Sequence, residues 1–398
     1  YDFAGIDRVY DRILGLGLRP IVEISFMPRA LARDPEATVF TYGGIISPPR
    51  DWDRWADLIR ALASHLVERY GLEEVARWAF EVWNEPNLEV FWTGTQHEYF
   101  RLYETAARAI KSVDGRLRVG GPGSAAAGWI EDFIDWISEH DVPLDFLATH
   151  AYGIAPLDLR AAPARRGRPD LPVWWTEWGV TPTHFAGVND SAFGAPFVLS
   201  GMRTAQRTET EAVAYWVVSD QFEELGRPPS LLHGGFGLLT VGNLRKPRYW
   251  ALALLKQLGP DAVDARVDGD GARSLVDVLA ARRGGVVDVL VWNGTLDQSK
   301  AEGSPALDRV LRLKIRGLEA PSYSASLARI DAFHSNIGAH WPRRDGWPDE
   351  RGWRRLRALD RLHEEPLGDL EAASGDVELE LELPMPGVAR LRLIPGGG

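Results

Sequence analysis

Residues 78–87 are Trp78-Ala79-Phe80-Glu81-Val82-Trp83-Asn84-Glu85-Pro86-Asn87, an apolar run that ends at a polar pair. Residues 173–179 have the same form, Val173-Trp174-Trp175-Thr176-Glu177-Trp178-Gly179. Short continuous runs of aromatic and β-branched residues are typical of buried β-strands. Each stretch therefore predicts a strand with a glutamate at its carboxyl end, Glu85 in the first and Glu177 in the second.

Around these two stretches, residues 1–256 alternate strand-like runs with amphipathic helical patterns. Strands are predicted at 20–25, 78–83, 117–120, 144–150, 173–177 and 212–217. Helices are predicted in the first residues and at 52–70, 98–113, 129–137, 193–208 and 249–258. The connection 155–168 is rich in proline, arginine and glycine and replaces a full helix. Continuous apolar strands separated by helices predict an α/β fold with a parallel sheet covered by helices.

The sequence changes character after Gly259-Pro260. Short β-rich runs lie at 274–279, 286–291, 310–315 and 377–383, with turn residues between them. They predict an antiparallel sandwich, whereas the polar segment 335–371 is predicted to be helical or irregular. We therefore expect two domains, a catalytic one at 1–256 and an accessory β-sandwich at 257–398.

Composition excludes several classes of protein. Among the 398 residues, 45 are Lys or Arg and 56 are Asp or Glu, and the net charge of −11 disfavours nucleic acid as a partner. No apolar run reaches the roughly 18 residues that cross a membrane. The chain has no cysteine, and no metal-ligand spacing or phosphate-binding glycine loop is evident, so no cofactor or metal is expected. The 16 tryptophans suggest stacking surfaces for rings.

The two strand-end glutamates are the strongest candidates for catalysis. Catalytic groups of parallel α/β barrels gather at the carboxyl ends of the strands. Two carboxyl groups on opposite sides of one pocket are the minimal apparatus for cleaving a glycosidic bond. A single strand-end glutamate is more often a solvated loop residue, but two such contexts make that interpretation weaker.

These motifs resemble a known family. Trp83-Asn84-Glu85-Pro86-Asn87 resembles the Asn-Glu signature of strand four in a large clan of glycoside hydrolase barrels. Thr176-Glu177-Trp178 resembles the nucleophile strand, strand seven, of glycoside hydrolase family 39. Further stretches resemble the β-xylosidase branch of that family, namely 26–28, 39–40, 48–49, 55–59, 119–122, 233–237, 329–331, 334–336 and Trp341. The resemblance runs from residue 1 to about 365 and implies a (β/α)8 barrel followed by the sandwich.

The resemblance implies a retaining double displacement, with Glu85 as general acid/base and Glu177 as nucleophile. Retention implies carboxyl groups roughly 5–5.5 Å apart. It also implies a raised pKa for Glu85 and an ionised Glu177 in the free enzyme. The enzyme would release β-D-xylose from the ends of xylo-oligosaccharides or from β-xylosides.

The resemblance also implies a set of substrate-binding residues. They are Asn84, His150, Tyr152, Trp216, Glu223 and Glu224. Phe91 and Phe40 are further candidates, expected to form walls of the same site. Without the family, Asn84 could be a capping residue, His150 a structural histidine and Trp216 a core residue. Glu223 and Glu224 could equally form a solvated acidic turn.

Substrate and partners follow from the same comparison. The α-L-iduronidases of the family hold a sugar carboxylate and place a lysine where this chain has Tyr152, whereas Glu223 and Glu224 would repel a uronate. A neutral pentose is therefore favoured, with an iduronidase-like or other family specificity as the alternative. The expected partner is a small carbohydrate, without nucleic acid or membrane, and homo-oligomerisation is left open. The absence of cysteine and of a signal sequence favours the cytoplasm.

The strand count raises a difficulty. If Glu85 ends strand four, residues 20–25 form strand three, and the first two barrel strands would precede Tyr1. We therefore expect an incomplete barrel. The chain would be a fragment of an active enzyme or, as a second hypothesis, an inactive sugar-binding protein. A structural or interaction protein fits the paired glutamates poorly.

Overall fold

The structure is a computed structural model that describes residues 1–222, 224–341 and 346–396. The helices are α1 Ala4–Gly15, α2 Trp52–Tyr70, α3 Leu72–Val75, α4 Gln96–Val113, α5 Ile130–Glu139, α6 Ala161–Ala164, α7 Gly194–Arg207, α8 Pro247–Gln257 and α9 Glu350–Leu359. The strands of the first half are β1 Ile21–Ile24, β2 Thr38–Val39, β3 Gly44–Ile45, β4 Ala79–Val82, β5 Arg118–Ala125, β6 Phe146–Tyr152, β7 Val173–Gly179 and β8 Ala212–Tyr215. Those of the second half are β9 Asp261–Val263, β10 Val276–Arg283, β11 Val286–Asn293, β12 Arg309–Ile315, β13 Ser322–Ile330, β14 His363–Glu371, β15 Val377–Leu383 and β16 Gly387–Pro395.

Six strands form the parallel sheet that the sequence predicts. Their order is β1-β4-β5-β6-β7-β8, every pairing is parallel, and the sheet curls into a half-barrel. All six carboxyl ends therefore lie at one rim. In the register of β6 and β7, His150 lies opposite Glu177. The connection after β6 contains only the four-residue helix α6, as predicted.

The helices cover this sheet because each has one apolar face and a defined start. Asp51 caps α2 by accepting hydrogen bonds from the first turn, and Thr95 and Glu98 form a capping box on α4. Such a cap stabilises a helix by about 1 kcal/mol. The buried face of α2 recurs at helical spacing, at Trp55, Ile59, Ala63 and Leu66. It packs with α4 against the sheet in one continuous core.

The second half is antiparallel, as predicted. One sheet has the order β14-β13-β16-β11-β10-β9, and β12 pairs with β15 in a second sheet. On β12 and β15, residues that face the core between the sheets alternate with residues that face solvent, and the latter are charged except for Val310. This alternation is the period-two pattern of a strand with one buried face.

The prediction for residues 335–371 is partly wrong. The segment contains helix α9, but its last residues, His363–Glu371, form edge strand β14. These residues are mostly polar and include a proline and a glycine, which are depleted in strands, so periodicity does not reveal them. Pairing with β13 imposes the strand, with a register shift beside Pro366. Strands β13 and β16 were also missed.

The two halves share a hydrophobic core. Trp178 and Phe197 stack with their ring centroids 4.9 Å apart, and the same cluster includes Trp292 and Ile330 of the second half. The indole nitrogen of Trp292 donates a hydrogen bond to Ser200 on α7 at 2.9 Å. The antiparallel sheet therefore braces the strand that carries Glu177. Within the described residues, no helix combines the length and the apolar character that crossing a bilayer requires.

Candidate active site

Glu177 points into the half-barrel from strand β7. Its carboxylate accepts a hydrogen bond from the Tyr152 hydroxyl at the end of β6. The next residue, Trp178, is fully buried, and its indole donates to the Ile154 carbonyl at 2.8 Å. Packing of Trp178 restrains the backbone next to Glu177, and the hydrogen bond from Tyr152 restrains its carboxylate.

Glu85 follows β4 in an unusual backbone conformation. Its φ is +43° and that of Trp83 is +75°, in the left-handed region that non-glycine residues rarely adopt. The amide of Glu85 donates to the Gly123 carbonyl at 2.8 Å. The Asn87 side chain bonds the backbone of Ala125 in both directions, at 2.8 and 3.0 Å. Strained backbone of this kind persists only where its surroundings enforce it, and it concentrates at functional sites.

His150 lies between the two glutamates. Its Nδ1 atom is 3.1 Å from Oε1 of Glu85 and 3.6 Å from Oε2 of Glu177. One carboxylate oxygen of Glu85, one of Glu177 and one ring nitrogen of His150 all lie within 4.8 Å of one another. The two carboxyl groups are therefore close enough to act on opposite sides of one sugar carbon atom.

The protonation of this cluster is set by burial and mutual charge. Burial raises the pKa of Glu177 to about 7, although the charge of His150 and the hydrogen bond from Tyr152 oppose the rise. Burial lowers the pKa of His150, but the carboxylates of Glu81, Glu85 and Glu177 outweigh it, so this pKa lies well above its usual value. The raised pKa means that Glu177 gives up its proton less readily near neutral pH than an exposed glutamate does.

Among the described residues, these three side chains are also the group whose oxygen and nitrogen atoms are close enough to bind one metal ion. A metal would need the free lone pair of a neutral imidazole. Because the carboxylates around His150 favour its protonated ring, a metal ion would have to compete with that proton for the ring nitrogen.

A cavity of about 550 Å³ opens above the two glutamates. Every predicted site residue that the structure describes lines it: Glu85, Glu177, Asn84, His150, Tyr152, Trp216, Glu224, Phe91 and Phe40. Glu223 lies outside the described residues. Phe40 and Phe91 form one wall, with ring centroids 5.6 Å apart, and Trp216 packs edge-on against Phe222 at 5.3 Å. The cavity thus combines aromatic walls with an acidic floor, which suits a hydroxylated ring.

A buried ion cluster supports one rim of the cavity. Lys246 lies 2.7 Å from Asp190 and 2.6 Å from Asp220, and all three side chains are almost fully buried. The two aspartates also accept backbone hydrogen bonds from Gly234 and Gly237. The cluster therefore fixes the loop 233–237, whose Phe236 lines the cavity.

Comparison with known proteins identifies the family of this chain. The model of glycosyl hydrolases family 39 matches residues 1–165 and 164–368. The chain belongs to this family. It is 35% identical to a β-xylosidase of Caldicellulosiruptor saccharolyticus and 36% identical to one of Geobacillus stearothermophilus, and each match covers 86% of this chain. These matches cover 72% and 69% of the two relatives.

A solved structure supports the same assignment. The monomeric β-xylosidase of Caulobacter crescentus CB15 superposes with a TM-score of 0.85 at 30% sequence identity. The superposition covers 100% of this chain and 85% of that structure. The family 39 chain is therefore a glycosidase with the barrel-type fold and C-terminal sandwich that the sequence predicted.

Several residues that line the cavity were not predicted as site residues. Glu23, Phe26, Tyr42, His184 and Phe236 also line the cavity. His184 pairs with Glu224 at 3.0 Å and packs edge-on against Phe236, so it links two walls. Glu23 lies in a strand predicted as buried, and a charged residue in such a strand is a signal that could have revealed it.

Proposed function

We propose that this protein is a retaining β-xylosidase in which Glu177 is the nucleophile and Glu85 the general acid/base. The observation that carries the proposal is the close approach of the two carboxyl groups, whose nearest donor atoms lie within 4.8 Å. Inverting enzymes separate their carboxyl groups by about 6.5–9.5 Å to admit a water molecule. The limit of 4.8 Å between an oxygen of Glu85 and one of Glu177 lies closer to the roughly 5–5.5 Å carboxyl separation of retaining enzymes, which favours direct attack by one of them.

The reaction would proceed in two displacements. An oxygen of ionised Glu177 attacks the anomeric carbon while protonated Glu85 gives its proton to the departing glycosidic oxygen. A covalent glycosyl ester forms as the glycosidic bond breaks. Glu85, now ionised, takes a proton from a water molecule that attacks the same carbon, and the ester bond to Glu177 breaks. The released sugar keeps its anomeric configuration, and both glutamates return to their starting protonation states.

The neighbouring side chains fit these roles. Tyr152 donates to Glu177 and favours its ionised form, and the cationic ring of His150 also favours the ionised form of Glu177. Asn84, beside the acid/base, would bond the sugar 2-hydroxyl group, and Trp216 would stack on the sugar ring. Residues 1–256 would then supply the catalytic domain, and 257–398 the accessory sandwich that braces β7.

A neutral pentose fits the charge of the cavity. Glu23 and Glu224 line it in addition to the catalytic pair. A uronate would bring a further negative charge next to these groups, which is unfavourable in a partly dry site. Hydroxyl groups, in contrast, can donate hydrogen bonds to the carboxylates. The β-xylosidase names of the relatives at 35–36% identity point to the same sugar, so we infer xylosides and xylo-oligosaccharides as substrates.

The first test is hydrolysis of an aryl β-D-xylopyranoside, with the anomer formed first identified by proton NMR before mutarotation. We expect β-xylose. Glu177→Ala should lower turnover by roughly 10⁴-fold or more. Glu85→Ala should retain activity on a dinitrophenyl xyloside, whose leaving group needs no proton, and lose it on an alkyl xyloside.

Each alternative predicts a different result. Release of α-xylose would refute retention, and equal loss on both leaving groups would refute the role of Glu85 as acid. A folded protein that cleaves aryl α-L-iduronides but not xylosides would overturn the substrate assignment. Binding of xylose without cleavage of either glycoside would indicate a sugar-binding protein.

A further inference from the structure

A third carboxylate lies near the catalytic pair, outside the residues that line the cavity. Glu81 belongs to β4, four residues before Glu85, and only 2% of its surface is exposed. A buried ionised carboxylate is costly unless other groups satisfy it. The contacts of Glu81 therefore show which groups compensate for its burial.

Glu81 contacts strands on both sides of the catalytic groups. Its Oε1 atom accepts a hydrogen bond of 2.7 Å from the hydroxyl of Thr176, the residue before the nucleophile. The same oxygen lies 3.8 Å from Nε2 of His150. The other ring nitrogen of His150 faces Glu85 and Glu177. Glu81 thus reaches the nucleophile strand directly and both catalytic carboxylates through one imidazole ring.

The backbone around Glu81 leaves room for it. Gly123 has a φ of +59°, and a Cβ atom there would lie 2.8 Å from Oε1 of Glu81. The carbonyl of the same glycine accepts the hydrogen bond from the amide of Glu85. A side chain at residue 123 would therefore displace both Glu81 and the turn that positions Glu85. The position of Glu81 is built into the fold of the site.

We propose that Glu81 is a positioning residue, whose buried charge keeps His150 cationic between the two catalytic carboxylates and whose hydrogen bond with Thr176 fixes the nucleophile strand. This inference rests on the proposed retaining hydrolysis. A cationic His150 lets two carboxyl groups approach closely without both becoming protonated. Without Glu81, the ring would have one anionic neighbour fewer and would lose its proton more easily.

Other charged groups also act on this cluster. Glu23 of β1 lies opposite Glu81 in the strand register, and Tyr99 of α4 lies on the other side of β4. Tyr152 and Glu224 face Glu177. These groups remain in a Glu81 variant, so the change in charge comes from one carboxylate. Removal of an anion lowers the apparent pKa values of the whole coupled cluster, and the alkaline limb of the pH profile should move to lower pH.

The experiment compares Glu81→Gln with Thr176→Val. Glutamine keeps the shape and the acceptor oxygen for Thr176 but removes the charge. Valine keeps the charge of Glu81 and removes the hydrogen bond. We expect Glu81→Gln to move the alkaline limb of kcat/KM for an aryl β-D-xyloside down by about one pH unit. Thr176→Val should lower kcat about tenfold, by loss of about 1.4 kcal/mol of positioning, without moving that limb.

A second measurement does not depend on turnover. The ring of His150 is titrated by NMR in histidine-labelled protein, with its signal assigned from its loss in His150→Gln. Its pKa should fall by about one pH unit or more in Glu81→Gln and stay in place in Thr176→Val. An unchanged titration and an unchanged alkaline limb in Glu81→Gln would overturn the inference. If the wild-type protein shows the expected His150 titration but cleaves no xyloside, the proposed function fails and the charge relation stands.

Discussion

Tyr152→Phe should make hydrolysis more sensitive to acid. The substitution removes only the hydroxyl group that donates to Glu177, and it keeps the ring that lines the cavity. Glu177 must be ionised to attack, and its pKa is already raised to about 7 by burial. In the wild-type protein the hydrogen bond from Tyr152 lowers the pKa of Glu177. Removing this bond should therefore raise that pKa further, and the acid limb of the pH profile should move to higher pH.

The size of this effect follows from the kind of bond. A hydrogen bond to a charged group contributes about 1.5–3 kcal/mol, which corresponds to about one to two pH units. At pH 6 we therefore expect kcat/KM to fall by roughly 10- to 100-fold, and the loss should be partly recovered above pH 8. The assay is the pH dependence of kcat/KM on an aryl β-D-xyloside between pH 4 and about 10.

Tyr103→Phe is the matched control. Tyr103 is a buried residue of α4 whose hydroxyl donates to the Pro143 carbonyl at 2.9 Å, remote from the cavity. This variant should lose about 1 kcal/mol of stability and keep the wild-type pH profile. An acid limb of Tyr152→Phe that stays in place or moves to lower pH would refute the electrostatic role given to Tyr152.

Three further predictions concern packing, buried charge and binding. Gly201→Ala would place a Cβ atom 2.2 Å from the ring of Trp178, so it should cost about 1–3 kcal/mol in thermal unfolding, whereas Gly5→Ala, in open space, should not destabilise. Lys246→Met leaves two buried aspartates without their cation and should cost about 3–5 kcal/mol in chemical denaturation; an unchanged midpoint would contradict this. Trp216→Ala should raise KM for xylosides about tenfold with little effect on kcat, and an unchanged KM would exclude the stacking role.

Local patterns determined the first half of the fold. Most strands of the parallel sheet are short apolar runs, and the longer helices carry an apolar face at regular spacing, so neighbouring residues alone indicate them. Strand β5 is the exception, because its glycine-rich second half extends beyond the predicted residues 117–120. The antiparallel half was predicted less completely. Edge strand β14 is mostly polar, and strand β16 is buried on most of its length without alternation, so only pairing with β13 and β11 reveals them.

The sequence by itself determined the family, the two catalytic candidates and the residues around them, because Asn84-Glu85 and Glu177 stand in short motifs that can be recognised without a structure. Only the tertiary structure placed His150 between the glutamates and Glu81 near them, since these contacts join strands 65 to 95 residues apart. It also raises the pKa of Glu177, because burial and neighbouring charges depend on distances in space. The sequence specifies which chemical groups are present, and the curved sheet determines the distances between them and therefore their protonation.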